Sequence, residues 1–198
     1  MECSITIGVL ALQGAFAKHM EMLKALGVNA IEVRKPEELN KCDGLIIPGG
    51  ESTTILKQIN FIKLSVDLEQ FAKHRPIFGT CAGLILMSKK IIADSMTPFG
   101  FLDIEVERNA YGRQVESFHA KVELKLEAKT PKQFSAVFIR APRIKACTTK
   151  VEILGEYEGE PILVKQGFHL GSTFHPELTN DPLIHEYFLN LVRRPEKF

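Results

Sequence analysis

Short apolar runs rich in β-branched residues alternate with segments of helical periodicity through the first 80 residues. The runs lie at residues 5–12, 29–33, 44–47 and 76–78. Nearly continuous apolarity over so few residues is typical of strands that are buried on both faces of a parallel sheet. Strands that alternate with helices in this way predict a parallel sheet with helices on both faces.

The segments between these runs carry apolar residues at helical spacing. Phe16, Met20 and Leu23 recur in the first of them, and Gly27 is a candidate C-cap. Another helix follows the third run, and Ser52 or Thr53 is expected to be its N-cap. Each predicted helix therefore has an apolar face that can pack on the sheet.

The pattern changes after about residue 92, where shorter strand-like segments replace the helices. These segments are residues 103–108, 119–126, 135–140, 151–157 and 162–166. A strand at residues 170–174 is expected to return to the core sheet, and Asn180 or Asp181 is expected to cap a final amphipathic helix. We therefore expect additional antiparallel strands beside the parallel sheet.

Charge and composition exclude several classes of protein. The 25 basic and 24 acidic residues give a net charge of +1, without the basic stripe of a nucleic-acid binder. No apolar run approaches the ~20 residues of a membrane span, and the pattern of a signal peptide is missing. We therefore expect neither nucleic acid nor membrane as a partner, and a single domain over residues 1–198.

The cysteines do not form a recognisable framework. The chain has four of them, which are Cys3, Cys42, Cys81 and Cys147. Their positions lack the C-x-x-C spacing of zinc sites, and their scatter argues against structural disulfides. We expect no metal site and a reducing, cytoplasmic location.

One of these cysteines has the surroundings of a catalytic nucleophile. Cys81 follows an apolar run, is flanked two residues away by Gly79 and Gly83, and precedes a second apolar run. This is the pattern of a nucleophile elbow, in which a sharp strand-to-helix turn forces the side chain out of the backbone. The dipole of the following helix would favour the thiolate. The alternative is a buried structural cysteine on a glycine-rich turn, and the stretch alone does not decide between them.

A cysteine nucleophile needs a base within reach, and that base needs an orienting group. His175 comes directly after an apolar strand, so it is expected at a strand carboxyl end like Cys81. Glu177, two residues later, can fix the tautomer of its imidazole. The alternative is a simple turn, with Glu177 placed near the start of the final helix for dipole reasons.

Acyl transfer also needs donors for a developing oxyanion. Gly49 and Gly50 follow the third predicted strand, and no side chain there would block the approach of their N–H groups. The N–H of Ala82, directly after Cys81, is the second natural donor. We take Gly50 and Ala82 as the expected oxyanion donors. The alternative is a tight turn without a chemical role.

Together, the cysteine elbow, the late His-x-Glu pair and the Gly-Gly loop resemble the class I, triad-type glutamine amidotransferases. In that family a cysteine attacks the side-chain amide of glutamine, forms a thioester and releases ammonia. The resemblance implies a catalytic triad of Cys81, His175 and Glu177.

Six sequence blocks narrow the resemblance to the glutaminase subunits of pyridoxal 5′-phosphate synthases. The blocks lie at residues 12–15, 48–54, 79–85, 107–114, 138–142 and 174–178. They cover nearly the whole chain in the family's order, and the Pro-Gly-Gly-Glu-Ser-Thr loop is the most discriminating.

This resemblance implies a function in vitamin B6 biosynthesis. The substrate would be free L-glutamine, and its ammonia would pass to a synthase subunit in a hetero-oligomeric complex, with no cofactor bound by this chain. The residues that would bind glutamine are Gly50, Glu51, Ser52, Arg108, Ile139 and Arg140. Gln13 and His19 match a segment that meets the synthase, which implies a glutaminase that is poor alone and is activated by docking.

Two rival functions are weighed against this one. A cysteine peptidase could use the same elbow, but Glu51 and two arginines suit the ammonium and carboxylate of a free amino acid better than an open peptide cleft. A regulatory subunit could keep the fold without catalysis, but an intact triad argues against it. The expected fold is a three-layer, flavodoxin-like α/β structure, with a mostly parallel sheet, helices on both faces and additional antiparallel strands.

Overall fold

A computed structural model describes residues 5–108, 117–126 and 130–194 of the chain. Residues 109–114 of the fourth sequence block lie outside the described residues, as do Cys3 and residues 195–198 at the chain end.

Strands and helices alternate up to residue 87, and strands follow one another from residue 88 to residue 172, close to what the sequence predicts. The strands are β1 (Thr6–Leu10), β2 (Asn29–Val33), β3 (Gly44–Ile47), β4 (Ile77–Thr80), β5 (Ser88–Ile91), β6 (Leu102–Glu107), β7 (Ser117–Leu124), β8 (Lys132–Ile139), β9 (Arg143–Cys147), β10 (Glu152–Tyr157), β11 (Glu160–Gln166) and β12 (His169–Ser172). The helices are α1 (Phe16–Ala25), α2 (Pro36–Leu39), α3 (Ser52–Phe61), α4 (Ser65–Ala72), α5 (Ala82–Met87) and α6 (Leu183–Arg193). A short 3₁₀ turn spans Pro176–Leu178.

The main sheet of the described residues has nine strands in the order β2-β1-β3-β4-β12-β11-β10-β7-β8. Its first five strands are parallel neighbours and repeat the flavodoxin-like order, with β12 as the fifth strand. The other four add to this sheet in antiparallel pairs. A separate three-stranded sheet has the order β5-β6-β9. The expected α/β fold with additional antiparallel strands is confirmed.

Helices cover both faces of the parallel strands. On one face, Ile46 and Phe78 pack with Phe188 of α6 in a buried cluster. On the other face, Leu45 and Ile55 of α3 belong to a second cluster. Each fully buried side chain of this kind stabilises the fold by about 1.5–3 kcal/mol.

The register of the parallel strands places their carboxyl ends at one edge of the sheet. Ile47 of β3 is opposite Gly79 of β4, and Thr80 of β4 is opposite Ser172 of β12. The segments that follow these strands carry Cys81, His175 and the Gly-Gly loop. They therefore meet although they are distant in sequence.

Two strands and one helix cap differ from the sequence prediction. The strands β5 and β9 were not expected from the sequence. In the case of β5 the reason is that it is only four residues long and its two central lysines are exposed. The predicted cap of α3 at Ser52 or Thr53 is wrong, since Glu51 caps this helix. The Asp181 carboxylate does accept from the N–H of Leu183, at 2.9 Å, at the start of α6. None of the helices in the described ranges is both long and apolar enough to cross a bilayer.

Candidate active site

Cys81 lies at a strained turn between β4 and α5. Its backbone has φ 49° and ψ −103°, in the positive-φ region that a residue with a side chain rarely adopts. Its N–H donates to the carbonyl of Ser172 at 2.8 Å, which fixes this conformation from the neighbouring strand. Such stored strain is the signature of a nucleophile elbow, and the sequence prediction of that turn agrees with it.

Two glycines let α5 pack directly on β4. A Cβ on Gly79 would lie 2.6 Å from the carbonyl carbon of Gly83, well inside contact distance. A Cβ on Gly83 would in turn overlap the carbonyl of Ile47 on β3. The glycines are therefore needed for the sharp return of the chain after Cys81.

His175 and Glu177 form a buried hydrogen-bonded pair beside Cys81. His175 Nδ1 lies 2.7 Å from Glu177 Oε1, and the two residues are only 7% and 3% exposed. Because an ionised carboxylate can only accept, the proton lies on Nδ1 and Nε2 is left for the thiol. Gly49 packs between the two catalytic candidates, since a Cβ there would lie 3.4 Å from Cys81 Cβ and 3.0 Å from His175 Nδ1.

The surroundings of His175 favour its charged form. Burial alone would lower the pKa of His175, but hydrogen bonds with Cys81 and Glu177 outweigh it and raise this pKa to about 10. Burial would raise the pKa of Glu177, but His19 and His175 keep it below its ordinary value. The pair is therefore an imidazolium and a carboxylate at neutral pH.

An open cavity of about 590 Å³ lies over Cys81 and His175. Nine of the predicted site residues line it, which are Gln13, Gly50, Glu51, Ser52, Cys81, Arg108, Ile139, Arg140 and His175. The others are set back from it, with Glu177 behind His175, Ala82 at the start of α5 and His19 inside the core. The lining residues that the sequence reasoning missed are Gly14, Ala15, Ile85 and Leu178.

The residues after β1 and β3 form one hydrogen-bonded wall of this cavity. Gln13 Oε1 accepts from the N–H of Glu51 at 2.8 Å, and the carbonyl of Gly49 accepts from the N–H of Ala15 at 3.0 Å. The peptide between Gly49 and Gly50 is trans, so its carbonyl and its N–H point in opposite directions. Because the carbonyl of Gly49 points at the N–H of Ala15, the N–H of Gly50 points away from Ala15. Gln13 therefore holds the Gly-Gly loop in place.

Comparison with known proteins decides the family. The model of the SNO glutamine amidotransferase family matches residues 9–194.

The chain belongs to the SNO glutamine amidotransferase family.

Curated relatives and solved structures agree with this membership. The pyridoxal 5′-phosphate synthase subunit PdxT of Thermosipho africanus is 50% identical over 95% of this chain and 99% of its own length. The protein of the same name from Thermotoga neapolitana is 51% identical over 94% of this chain and 99% of its own. A crystal structure of a glutamine amidotransferase superposes with a TM-score of 0.88 at 45% identity, covering 94% of this chain and 98% of that one. The structure of PurLQS from Thermotoga maritima, at 16% identity and a TM-score of 0.71 over 95% of this chain and 99% of that one, shares the fold.

In this amidotransferase Glu51 is the N-cap of α3. Its carboxylate accepts from the N–H groups of Thr53 and Thr54, at 3.1 and 2.7 Å, and from the Thr54 hydroxyl at 2.6 Å. Hydrogen bonding from the Thr54 hydroxyl, opposed by burial and aided by Thr53, lowers the pKa of Glu51 to about 2. The sequence did not indicate Glu51 as the N-cap, because the serine and two threonines that follow it are residue types that cap helices more often.

Arg108 is held at the rim of the cavity by two carboxylates. Its guanidinium lies 3.3 Å from Glu51 Oε1 and 2.7 Å from Asp94 Oδ2. Asp94 was not among the predicted site residues. One consequence is that the guanidinium is fixed in direction before any ligand arrives.

Cys81 also contacts the segment at the end of β8. Its Sγ lies 3.8 Å from the carbonyl oxygen of Ile139, a weak contact of the kind that sulfur makes. Arg140, the next residue, has φ 44°. This segment carries both predicted glutamine-binding residues of its sequence block to the cavity.

His19 is fully buried, although its sequence block resembles a segment that meets the synthase. Its Nε2 lies 3.4 Å from Glu177 Oε2, on the side opposite to His175. A signal for this was present, because His19 shares a helical face with Phe16 and Leu23.

Removing the cap at Glu51 is expected to destabilise the fold in a pH-dependent way. We expect Glu51→Ala to lower the free energy of unfolding by about 1 kcal/mol at neutral pH, as for other N-caps. The folded pKa is depressed to about 2 from 4.5, so this contribution is present above 4.5 and is lost as the pH falls through about 2. Urea unfolding of both proteins across this range measures it.

The matched control for this change is Glu69→Ala, which alters an exposed helical glutamate that caps nothing. Equal midpoints for the two variants at neutral pH would contradict the capping role. The capping role would also be contradicted if the difference in the free energy of unfolding between wild type and Glu51→Ala kept its full size at about pH 2.

Proposed function

We propose that this amidotransferase hydrolyses L-glutamine to L-glutamate and ammonia with Cys81, His175 and Glu177 as its catalytic triad. One observation carries the proposal. The strained Cys81 and His175, which is hydrogen-bonded to Glu177 behind it, share the floor of a cavity whose rim holds a fixed arginine. No other arrangement of nucleophile and base among the described residues has these three properties.

The first half of the reaction forms a thioester. The Cys81 thiolate attacks the side-chain amide carbon of glutamine, and the N–H groups of Gly50 and Ala82 receive the oxyanion. As the tetrahedral intermediate collapses, the C–N bond breaks and the proton on His175 Nε2 goes to the leaving nitrogen. Ammonia departs, and the γ-glutamyl group stays on sulfur.

The second half regenerates the enzyme. Water gives a proton to His175 Nε2 and attacks the thioester carbon, and the same two N–H groups hold the second oxyanion. The C–S bond breaks, glutamate leaves, and the thiolate is restored beside the imidazolium. Glu177 stays ionised throughout and keeps Nδ1 as the donor nitrogen.

The charges at the rim match those of a free amino acid. Glutamine presents an α-carboxylate, and the guanidinium groups that line the cavity are those of Arg108 and Arg140. Its α-ammonium suits Glu51, whose carboxylate also caps α3 and is half-exposed. Ser52 and Ile139 complete the wall around the side chain.

The names of the relatives support a proposal about which enzyme subunit uses the ammonia. Relatives of about 50% identity are pyridoxal 5′-phosphate synthase subunits, and they match nearly the whole chain. We therefore place this chain in the cytoplasm, in a complex with a synthase subunit that consumes the ammonia. Gln13, which holds the Gly-Gly loop from the cavity rim, is the residue through which docking would reach the oxyanion site.

Ammonia release from glutamine should depend on the synthase subunit. We expect slow release by the chain alone and faster release once the synthase subunit of the same organism is added, because docking would complete the oxyanion site. Coupled detection of ammonia and glutamate measures both rates. Equal rates would refute activation by docking, and no ammonia under either condition would refute the glutaminase function itself.

A further inference from the structure

Two buried histidines lie behind Glu177, on the side away from Cys81. His19 on α1 and His185 on α6 are both fully buried, and His19 Nδ1 lies 2.9 Å from His185 Nε2. The other ring nitrogen of His19 lies 3.3 Å from Thr80 Oγ1 and 3.4 Å from Glu177 Oε2. The catalytic steps above use neither histidine.

The contacts of Glu177 make this arrangement more than core packing. Its Oε1 is hydrogen-bonded to His175, and His19 Nε2 lies 3.4 Å from its Oε2. At 3.4 Å this contact is longer than a good hydrogen bond, and Oε2 has no bond of normal geometry within those residues. A buried carboxylate oxygen without a donor is costly, so His19 is the group that can satisfy it.

The direction of each proton follows from the carboxylate. Glu177 can only accept, so a neutral His19 that serves Oε2 carries its proton on Nε2. Its Nδ1 is then an acceptor, and the 2.9 Å contact requires that His185 donates from Nε2. His185 Nδ1 is left as a bare lone pair, and it is indeed a buried nitrogen without a partner in the described structure.

We propose that His19 is a positioning residue for the reaction, which donates from Nε2 to the second oxygen of Glu177 while His185 fixes its tautomer. This inference rests on the proposed function. Glu177 then receives one N–H on each oxygen, from His175 and from His19. The carboxylate is held in the orientation that keeps His175 Nδ1 protonated and Nε2 directed at the sulfur.

The surroundings keep both rear histidines neutral, as this scheme requires. Burial lowers the pKa of His19 despite the opposing charge of Glu177. Burial lowers the pKa of His185 to about 3. The ring of Phe78 packs edge-on against both imidazoles, so apolar surface adjoins them.

The tautomers can be read without any activity measurement. Long-range ¹H–¹⁵N correlation spectra of the histidine-labelled protein at neutral pH should show His19 and His185 neutral, both with the proton on Nε2. Assignment uses single His→Gln variants. A charged His19, or a His19 protonated on Nδ1 alone, would overturn the proposal even if the protein is an active glutaminase.

Kinetics then separate positioning from packing. In the complex with the synthase subunit, His19→Leu should lower kcat for ammonia release by about tenfold or more, as loss of outer hydrogen-bond partners does elsewhere, and leave KM unchanged. His19→Gln, whose amide can supply an N–H near the position of Nε2, should recover most of the loss. His74→Leu, which alters an exposed histidine, is the matched control.

Each outcome of these experiments is decisive. A wild-type kcat in His19→Leu, or equal losses in His19→Leu and His19→Gln, would overturn the positioning role. If His19→Leu does not fold, His19→Gln and the spectra of the wild-type protein still test it. If wild type releases no ammonia even in the complex, the proposed function is refuted. The spectra alone then test the hydrogen bonds that link His185, His19 and Glu177.

Discussion

Replacing Cys81 by alanine should abolish glutamine hydrolysis, with a fall in kcat of at least about 10⁴-fold, as when a nucleophile is removed from other triads. The reason is that no other described nucleophile lies beside His175 at the cavity floor. Alanine keeps a Cβ, so the backbone at φ 49° stays as strained as before. Ammonia release in the synthase complex measures the rate, and calorimetry measures glutamine binding, which should persist.

The matched control is Cys147→Ala, since Cys147 lies on β9 in the separate sheet and does not line the cavity. Its kcat should equal that of wild type. Hydrolysis that survives in Cys81→Ala would contradict the assigned nucleophile, as would a comparable loss in Cys147→Ala.

Replacing Glu177 by glutamine should lower kcat by about 10³- to 10⁴-fold, by analogy with the loss of the orienting carboxylate in serine triads. Glutamine has nearly the same shape, but its amide can donate to His175 Nδ1 and reverse the tautomer. Nε2 would then carry the proton of a neutral ring and could not accept one from the thiol. KM for glutamine should change little, because Glu177 does not line the cavity.

This variant also removes one cause of the raised pKa of His175. With the carboxylate gone, that pKa should fall, because hydrogen bonding and charge from Glu177 both raise it. The charged imidazole is then lost at a lower pH than in wild type, which histidine NMR shifts can follow. Glu186→Gln, an exposed change on α6, is the control, and a wild-type kcat in Glu177→Gln would refute the orienting role.

The sequence brings the proposed catalytic residues together through one rule of sheet topology. Cys81 and His175 each follow an apolar strand, and parallel strands share an edge for their carboxyl ends. The elbow alone was also compatible with a buried structural cysteine. The positive φ of Cys81 and the 2.7 Å contact between His175 and Glu177 are what favour chemistry over packing at this turn.

Other features of the site depend on contacts that no local pattern reveals. Glu51 caps α3 because the loop after β3 directs its carboxylate back at two N–H groups, a geometry set by Gln13 from another segment. Asp94 reaches Arg108 across fourteen positions of the chain. The burial of His19 was readable from the helical face it shares with Leu23, but its contact with Glu177 required the fold.

The most direct test of the triad is to trap the γ-glutamyl thioester. The complex is mixed with radiolabelled glutamine, quenched in acid during turnover and digested, and the labelled peptide is identified by mass spectrometry. We expect hydroxylamine-sensitive label on the peptide that contains Cys81, and none in Cys81→Ala. Ammonia release without covalent label, or label on the peptide of Cys42 or Cys147, would contradict the account.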